Sequence, residues 1–150
     1  MFILLLIAVF QWVVGVTVQR GNDMYPFLMD GDIILYYRHA DLLPSEAVVY
    51  ETSGGHIRTG RIAAAGGSEI GAAGDGQLTV DGALLAVDEE HGICNKTYVP
   101  DDPRPAVVSN GSYYILNDKR DRMDDSRTYG EISSRNILGR IISVLRVRTI

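Results

Sequence analysis

The chain has little that could serve a disulfide, a polyanion or a metal. Its 150 residues include one cysteine, Cys94, so no intrachain disulfide can form and the fold must hold without one. A lone thiol of this kind reads as a small buried hydrophobe. Net charge is −5, and no Lys/Arg cluster stands apart from acidic neighbours, which removes the electrostatic basis for binding nucleic acid. No lysine occurs before Lys96. His39, His56 and His91 lack metal-ligand spacing and read as surface residues. Asp118, Asp121, Asp124 and Asp125 lack the ligand order and glycine of a calcium loop, and the interleaved Lys119, Arg120, Arg122 and Arg127 predict internal ion pairs instead. Gly66, Gly67, Gly71 and Gly74 follow neither a dinucleotide nor a P-loop pattern and read as turns. No metal or other cofactor is expected. Asn95-Lys96-Thr97 and Asn110-Gly111-Ser112 fit glycosylation sequons, which matter only in a suitable host.

What is present begins with an apolar run. Residues 1–18 are apolar apart from Gln11, Thr17 and the small Gly15, and the run is about long enough to cross a bilayer core, which takes roughly 17–25 residues. A cleavable signal peptide would show a basic start, a shorter apolar run and a small-x-small cleavage site. Here β-branched residues and Trp12 stand where small residues would be, so a retained transmembrane anchor is expected over 1–18, with one folded domain over 19–150. Charge counting does not orient it: no basic residue precedes the run, and Arg20 directly follows it.

After the run the period changes. Short apolar stretches at Ile33–Arg38, Ala47–Tyr50, Ile57–Ile62, Tyr113–Leu116 and Ile141–Val147 read as strands separated by Gly-containing turns. Leu78–Val80 and Ala83–Leu85 flank Asp81-Gly82, a strong two-residue hairpin signal because a type I′ turn needs positive φ at both positions. Ser134–Leu138 reads as one helical turn, and Asp101–Pro105 as a surface loop. The predicted class is mainly β, an antiparallel sheet or barrel behind one N-terminal helix.

Three segments carry a family resemblance. Gly21-Asn22-Asp23-Met24-Tyr25-Pro26-Phe27-Leu28, followed by Gly31-Asp32-Ile33-Ile34-Leu35, resembles the Ser-Met-x-Pro-Thr-Leu box and Gly-Asp strand of the type I signal peptidases. Thr59-Gly60-Arg61-Ile62, leading to Gly67, Ser68 and Glu69, is similar to their Lys-Arg-Val box and Pro-Gly-Asp turn. Leu116-Asn117-Asp118-Lys119-Arg120-Asp121 and Asp125-Ser126-Arg127-Thr128-Tyr129-Gly130 resemble their third box, in which Asp118, Arg120, Asp125, Ser126, Arg127 and Gly130 match positions that look structural. The resemblance implies a plasma-membrane protein with a single anchor. It also implies an extracytoplasmic β domain whose boxes surround a peptide groove.

The family's chemistry is acyl transfer by a serine whose proton is taken by a buried, neutral lysine, with a second serine orienting that lysine. This sequence departs at each point. Asp23 stands at the nucleophile position, Gly60 at the base position and Met123 at the orienting position. Gly60 has no group to accept a proton, and Met123 has no hydroxyl. No serine lies near Met24 and no lysine near Arg61, so a shifted alignment does not rescue the pair. A pseudoenzyme is expected. Arg61 is a plausible ion partner for Asp23.

Asp23 and Gly60 also resemble a SipA-like class of signal-peptidase-like proteins. That class is encoded with sortase-assembled pili in Gram-positive bacteria and is needed for pilus polymerisation without peptidase activity. The implied role is an assembly factor or chaperone whose partner is a pilin subunit or a class C sortase. Its groove edges would be Gln19, Arg20, Gly21, Asn22, Asp23 and Met24 on one side and Ile57, Arg58, Thr59, Gly60 and Arg61 on the other. Two alternatives stand beside it. One is a divergent active peptidase that cleaves secretory signal peptides through Asp23. The other is a structural membrane subunit that never touches substrate.

Overall fold

A computed structural model describes residues 2–85 and 106–146. The expected loop at Asp101–Pro105, Cys94, His91, the sequon at Asn95 and the last residue of the expected terminal strand, Val147, lie outside the described residues.

The N-terminal run divides in two. Helix α1 spans Phe2–Val13 and strand β1 spans Val14–Val18. This corrects the bounds of the expected transmembrane helix over 1–18, because Val14–Val18 is a strand and the helix ends at Val13. Among the described residues no helix is long and apolar enough to cross a membrane. The break has a local cause. Val13, Val14, Val16, Thr17 and Val18 are β-branched and favour the pleated backbone. Gly15 lets the strand lie against Tyr36, because a Cβ there would sit 2.1 Å from the ring carbon Cζ.

The other strands are β2 (Ile33–Tyr37), β3 (Ala47–Glu51), β4 (Ile57–Ala65), β5 (Ile70–Ala72), β6 (Leu78–Val80), β7 (Ala83–Leu84), β8 (Ser112–Leu116), β9 (Ile132–Ser133) and β10 (Ile137–Leu145). A short helix, α2, spans Ser126–Tyr129. Seven strands form one antiparallel sheet in the order β1-β2-β10-β3-β4-β8-β9, and β5-β6-β7 form a small second sheet. β10 carries two register shifts, between Ile137 and Gly139 and between Ile141 and Ser143. Such bulges bend a strand and increase its twist. The large sheet curls until the end of β1 reaches β4, where the Thr59 hydroxyl donates to Gln19 Oε1 at 2.7 Å. The fold is therefore mainly β, as the strand pattern predicts.

β3 lies at the centre of the packing. Ala47 and Val49 join Met24, Leu28, Ile34 and Tyr36 in one buried cluster, while Val48 and Tyr50 join Ile62, Ile115 and Ile132 in another. Alternate side chains of one strand thus fill two cores, which is why its sequence is a continuous apolar run. A third cluster of Ala64, Ile70, Leu78, Val108, Tyr114 and Leu116 joins the small sheet to β4 and β8.

The Asp81-Gly82 turn has φ of 52° and 78°, the positive values its sequence demands, and it joins β6 to β7. Ser134–Asn136 forms a single 3-10 turn capped by the Ser133 hydroxyl. The expected turn was to reach Leu138, but the last strand already begins at Ile137 rather than Ile141.

Candidate functional site

The first box is a loop folded on its own polar groups. Gln19 N–H donates to the Asp32 carbonyl at 2.8 Å and Gly31 N–H returns to the Gln19 carbonyl at 3.0 Å, closing its base. Asp30 Oδ1 accepts from Gly21 N–H at 2.7 Å, and Asn22 Oδ1 accepts from Asp30 N–H at 3.0 Å. Asp32 is buried; its Oδ2 accepts from Met29 N–H and from Arg146 Nη2, each at 2.9 Å. The hydrogen bonds from Arg146 are the main reason its carboxyl is held below the ordinary 3.8. Met24 and Leu28 are fully buried and pin the loop to the core.

The third box docks on the first. Lys119 N–H donates to the Asp23 carbonyl at 2.9 Å, and Asp118 N–H points at Met24 Sδ, 3.4 Å away. Asp125 caps α2, accepting from Arg127 N–H at 3.0 Å, and also accepts from Asn117 N–H at 3.0 Å. Arg127 grips the same carboxylate through Nε (2.9 Å) and Nη2 (2.7 Å) and donates to the carbonyls of Arg120 and Arg122. Ser126 Oγ accepts from Ile115 N–H at 2.9 Å, and Gly130 ends the helix at φ 81°. Asp118, Asp125, Ser126, Arg127 and Gly130 are thus fully engaged in holding the loop. Arg120 is the exception: it is buried, its Nε and Nη1 have no partner, and burial pushes its pKa down to about 10.

Arg61 makes a bidentate pair with Asp118, at 2.8 and 2.7 Å, and donates a third bond to the Ser45 carbonyl. It is therefore not the partner of Asp23, as the sequence suggested. Both groups are buried, on the face of β4 that Thr59 shares, and their pairing satisfies charges that neither could carry alone. Asp23 instead lies 3.2 Å from Arg122 and 4.0 Å from Arg58. Arg58 also pairs with Asp124, which accepts from the Tyr129 hydroxyl, and its guanidinium lies 5.8 Å from the Tyr129 ring centre. The predicted ion pairs among residues 118–127 exist, but they reach outward to β4 and the first box as well as inward.

These elements enclose a cleft of about 570 Å³ between the end of β1 and the start of β4. Of the groove residues read from sequence, Gln19, Arg20, Asp23, Ile57, Arg58 and Thr59 line it. Met24, Gly60 and Arg61 are buried behind the wall, and Gly21 and Asn22 belong to the loop beside it. Thr17, Val18, Gly55, His56 and Asp124 also line the cleft and were missed. Thr17 and Val18 were assigned to the anchor. His56 was read only as a surface residue, and its nearness to the Ile57 edge was the available signal.

Asp23, Gly60 and Met123, which the sequence suggests stand in for the catalytic groups, lie in different surroundings. Asp23 sits in the cleft with both oxygens facing guanidinium groups. Gly60 is closed in: a Cβ there would meet Ile115 Cγ2 at 2.4 Å, Tyr50 Cε1 at 3.2 Å and the Leu116 carbonyl at 3.3 Å. Met123 is 40% exposed and does not line the cleft. Among the described residues no group of three or more His, Cys, Asp or Glu is arranged to hold a metal.

Comparison with curated proteins finds no match. Among solved structures, a signal peptidase I from Enterococcus faecalis superposes with a TM-score of 0.54 at 20% identity, covering 69% of this chain and 98% of that one. At that identity the likeness is one of fold. The family described as signal peptidase, peptidase S26, matches residues 1–146, nearly the whole sequence. With the three boxes assembled around one cleft, the chain belongs to the signal peptidase family, peptidase S26.

Proposed function

We propose that this protein is a signal-peptidase-like assembly factor that holds an extended peptide in its cleft without cutting it. In this role it acts beside a pilin subunit or a class C sortase in sortase-dependent pilus polymerisation. The observation that carries the reading is Gly60. At the position where the family places its lysine there is neither a side chain nor room for one. Asp23, at the nucleophile position, is occupied by ion pairs. The pilus role rests on the resemblance of the Asp23 and Gly60 pair to the SipA-like class.

The cleft retains the means to hold a strand. β1 is an edge strand paired only with β2, and β4 pairs with β8 only from Arg61 onward. Ladder alternation turns the N–H and C=O groups of Val16 and Val18, and of Ile57 and Thr59, away from their paired neighbours. A peptide laid between these edges gains main-chain hydrogen bonds on both sides, the usual basis of strand addition.

Membrane attachment belongs to the same proposal. α1 exposes Ile3, Leu4, Ile7, Val9, Phe10 and Trp12, and the apolar surface continues over Val16 and Val18 of β1 and Leu145 of β10. A surface of this kind suits a lipid interface, with the β domain on the extracytoplasmic face.

Family membership favours one rival, a divergent active peptidase that works through Asp23. The two separate in cells that assemble pili: Val18→Asp or Ile57→Asp at the cleft edges is expected to stop polymerisation, while Asp23→Ala leaves it intact. Polymerisation unchanged by the edge substitutions overturns groove docking. Loss with Asp23→Ala alone moves the weight to the active peptidase.

A further inference from the structure

Two arginines and two aspartates line the cleft, but the ion pairs leave one of the arginines out. Its two carboxylates are already engaged, Asp23 by Arg122 and Arg58, and Asp124 by Arg58 and the Tyr129 hydroxyl. Arg20, on the opposite wall at the end of β1, has no ion-pair partner among the described residues. Its neighbouring carboxylate, Asp30, accepts from Gly21 N–H. The cleft therefore presents one unspent guanidinium beside a free strand edge, in a protein whose overall charge is negative.

We infer that the cleft selects an extended peptide bearing an acidic side chain, whose carboxylate pairs with Arg20 while its backbone lies between β1 and β4. The inference rests on the peptide-docking reading and adds the chemical class of the ligand to it. Guanidinium suits the role because its planar fork meets a carboxylate with two parallel N–H bonds. A lysine side chain in the same place would face a like charge. Edge hydrogen bonds supply affinity to any sequence, and Arg20 supplies the register and the choice between sequences.

The test uses the full chain held in detergent and fluorescein-labelled octapeptides of Ala, Val and Ser in which one Glu steps along the sequence. Matched sets carry Gln or Lys in place of Glu, or N-methylated backbone amides. Binding is read by fluorescence anisotropy at low and high salt. In one register the Glu peptide is expected to bind about fivefold tighter than its Gln counterpart, with the Lys peptide weaker still. Arg20→Gln removes that preference and Arg20→Glu reverses it, salt diminishes it, and N-methylation abolishes binding throughout. Peptides that bind through their amides with equal affinity for Glu and Gln in every register overturn the acidic selectivity and leave groove docking intact. So does a Glu preference that survives Arg20→Gln. If no peptide binds, or if N-methylation has no effect, the docking reading fails and the inference with it. Arg20 is exposed, and circular dichroism of each variant establishes that the fold is retained.

Discussion

Gly60 and Ile115 are packed so closely across β4 and β8 that a Cβ on the glycine would lie 2.4 Å from Cγ2 of the isoleucine. Ile115 is fully buried and its backbone N–H is held by Ser126, so it cannot easily retreat. Gly60→Ala is expected to destabilise the protein by about 1–3 kcal/mol, the usual cost of overpacking a core. Combining it with Ile115→Ala, which removes Cγ2, is expected to cost less than the sum of the two single changes. Urea unfolding of the two single variants and the double variant measures both effects.

The same contact bears on catalysis. Writing the family's residues back, as Asp23→Ser with Gly60→Lys, is expected to give no cleavage of a signal-peptide substrate, because the new lysine has no seat. Adding Ile115→Ala opens space beside position 60, and any activity should appear only in that triple variant. Product detection by mass spectrometry decides the matter. Cleavage by the double variant would show that β8 yields to the lysine.

The two buried arginines of the third box differ in their bonding and should differ in their effect. Arg127 is tied to Asp125 and to two carbonyls, so Arg127→Met leaves the Asp125 charge buried and is expected to cost about 3–5 kcal/mol. Arg120 has two unpartnered nitrogens, so Arg120→Met is expected to cost under about 1 kcal/mol or to stabilise. Chemical unfolding separates them, and an equal loss would show that Arg120 has a bonding role.

Asp32 gives a pH dependence of definite sign. Its folded pKa is depressed below the ordinary 3.8, chiefly by the Arg146 hydrogen bonds, while its unfolded value is not. Its contribution is therefore fully present above pH 3.8 and is lost as pH falls through the lower folded value. Asp32→Asn should lower stability at neutral pH and flatten its fall in acid. Unfolding curves at a series of pH values check this, and an unchanged acid slope would contradict it.

Much of the fold is legible from local chemistry. Asp81-Gly82 dictates its hairpin, and the apolar run Ala47–Tyr50 becomes the strand buried on both faces. The three boxes meet at one cleft because Lys119 and Asp118 dock on Asp23 and Met24. What was not legible depends on distant partners. Val14–Val18 continues the apolar run of the helix before it, and although its β-branched residues favour a strand, its pairing with β2 is a distant contact that the run does not show. The three-residue β5 and two-residue β9 are too short to show a period. The partner of Asp23 was misread because Arg61 is its neighbour in the box order, whereas the curl of the sheet gives Arg61 to Asp118 and brings Arg58 to Asp23.

The most direct measurement is incubation of the purified, detergent-held protein with a pilin precursor that bears its signal peptide. Products are read by mass spectrometry beside an authentic signal peptidase. The account predicts no product over a long incubation while the reference enzyme cuts to completion. A clean cut after the small-x-small site, abolished by Asp23→Ala, would contradict it and make Asp23 a working catalytic group.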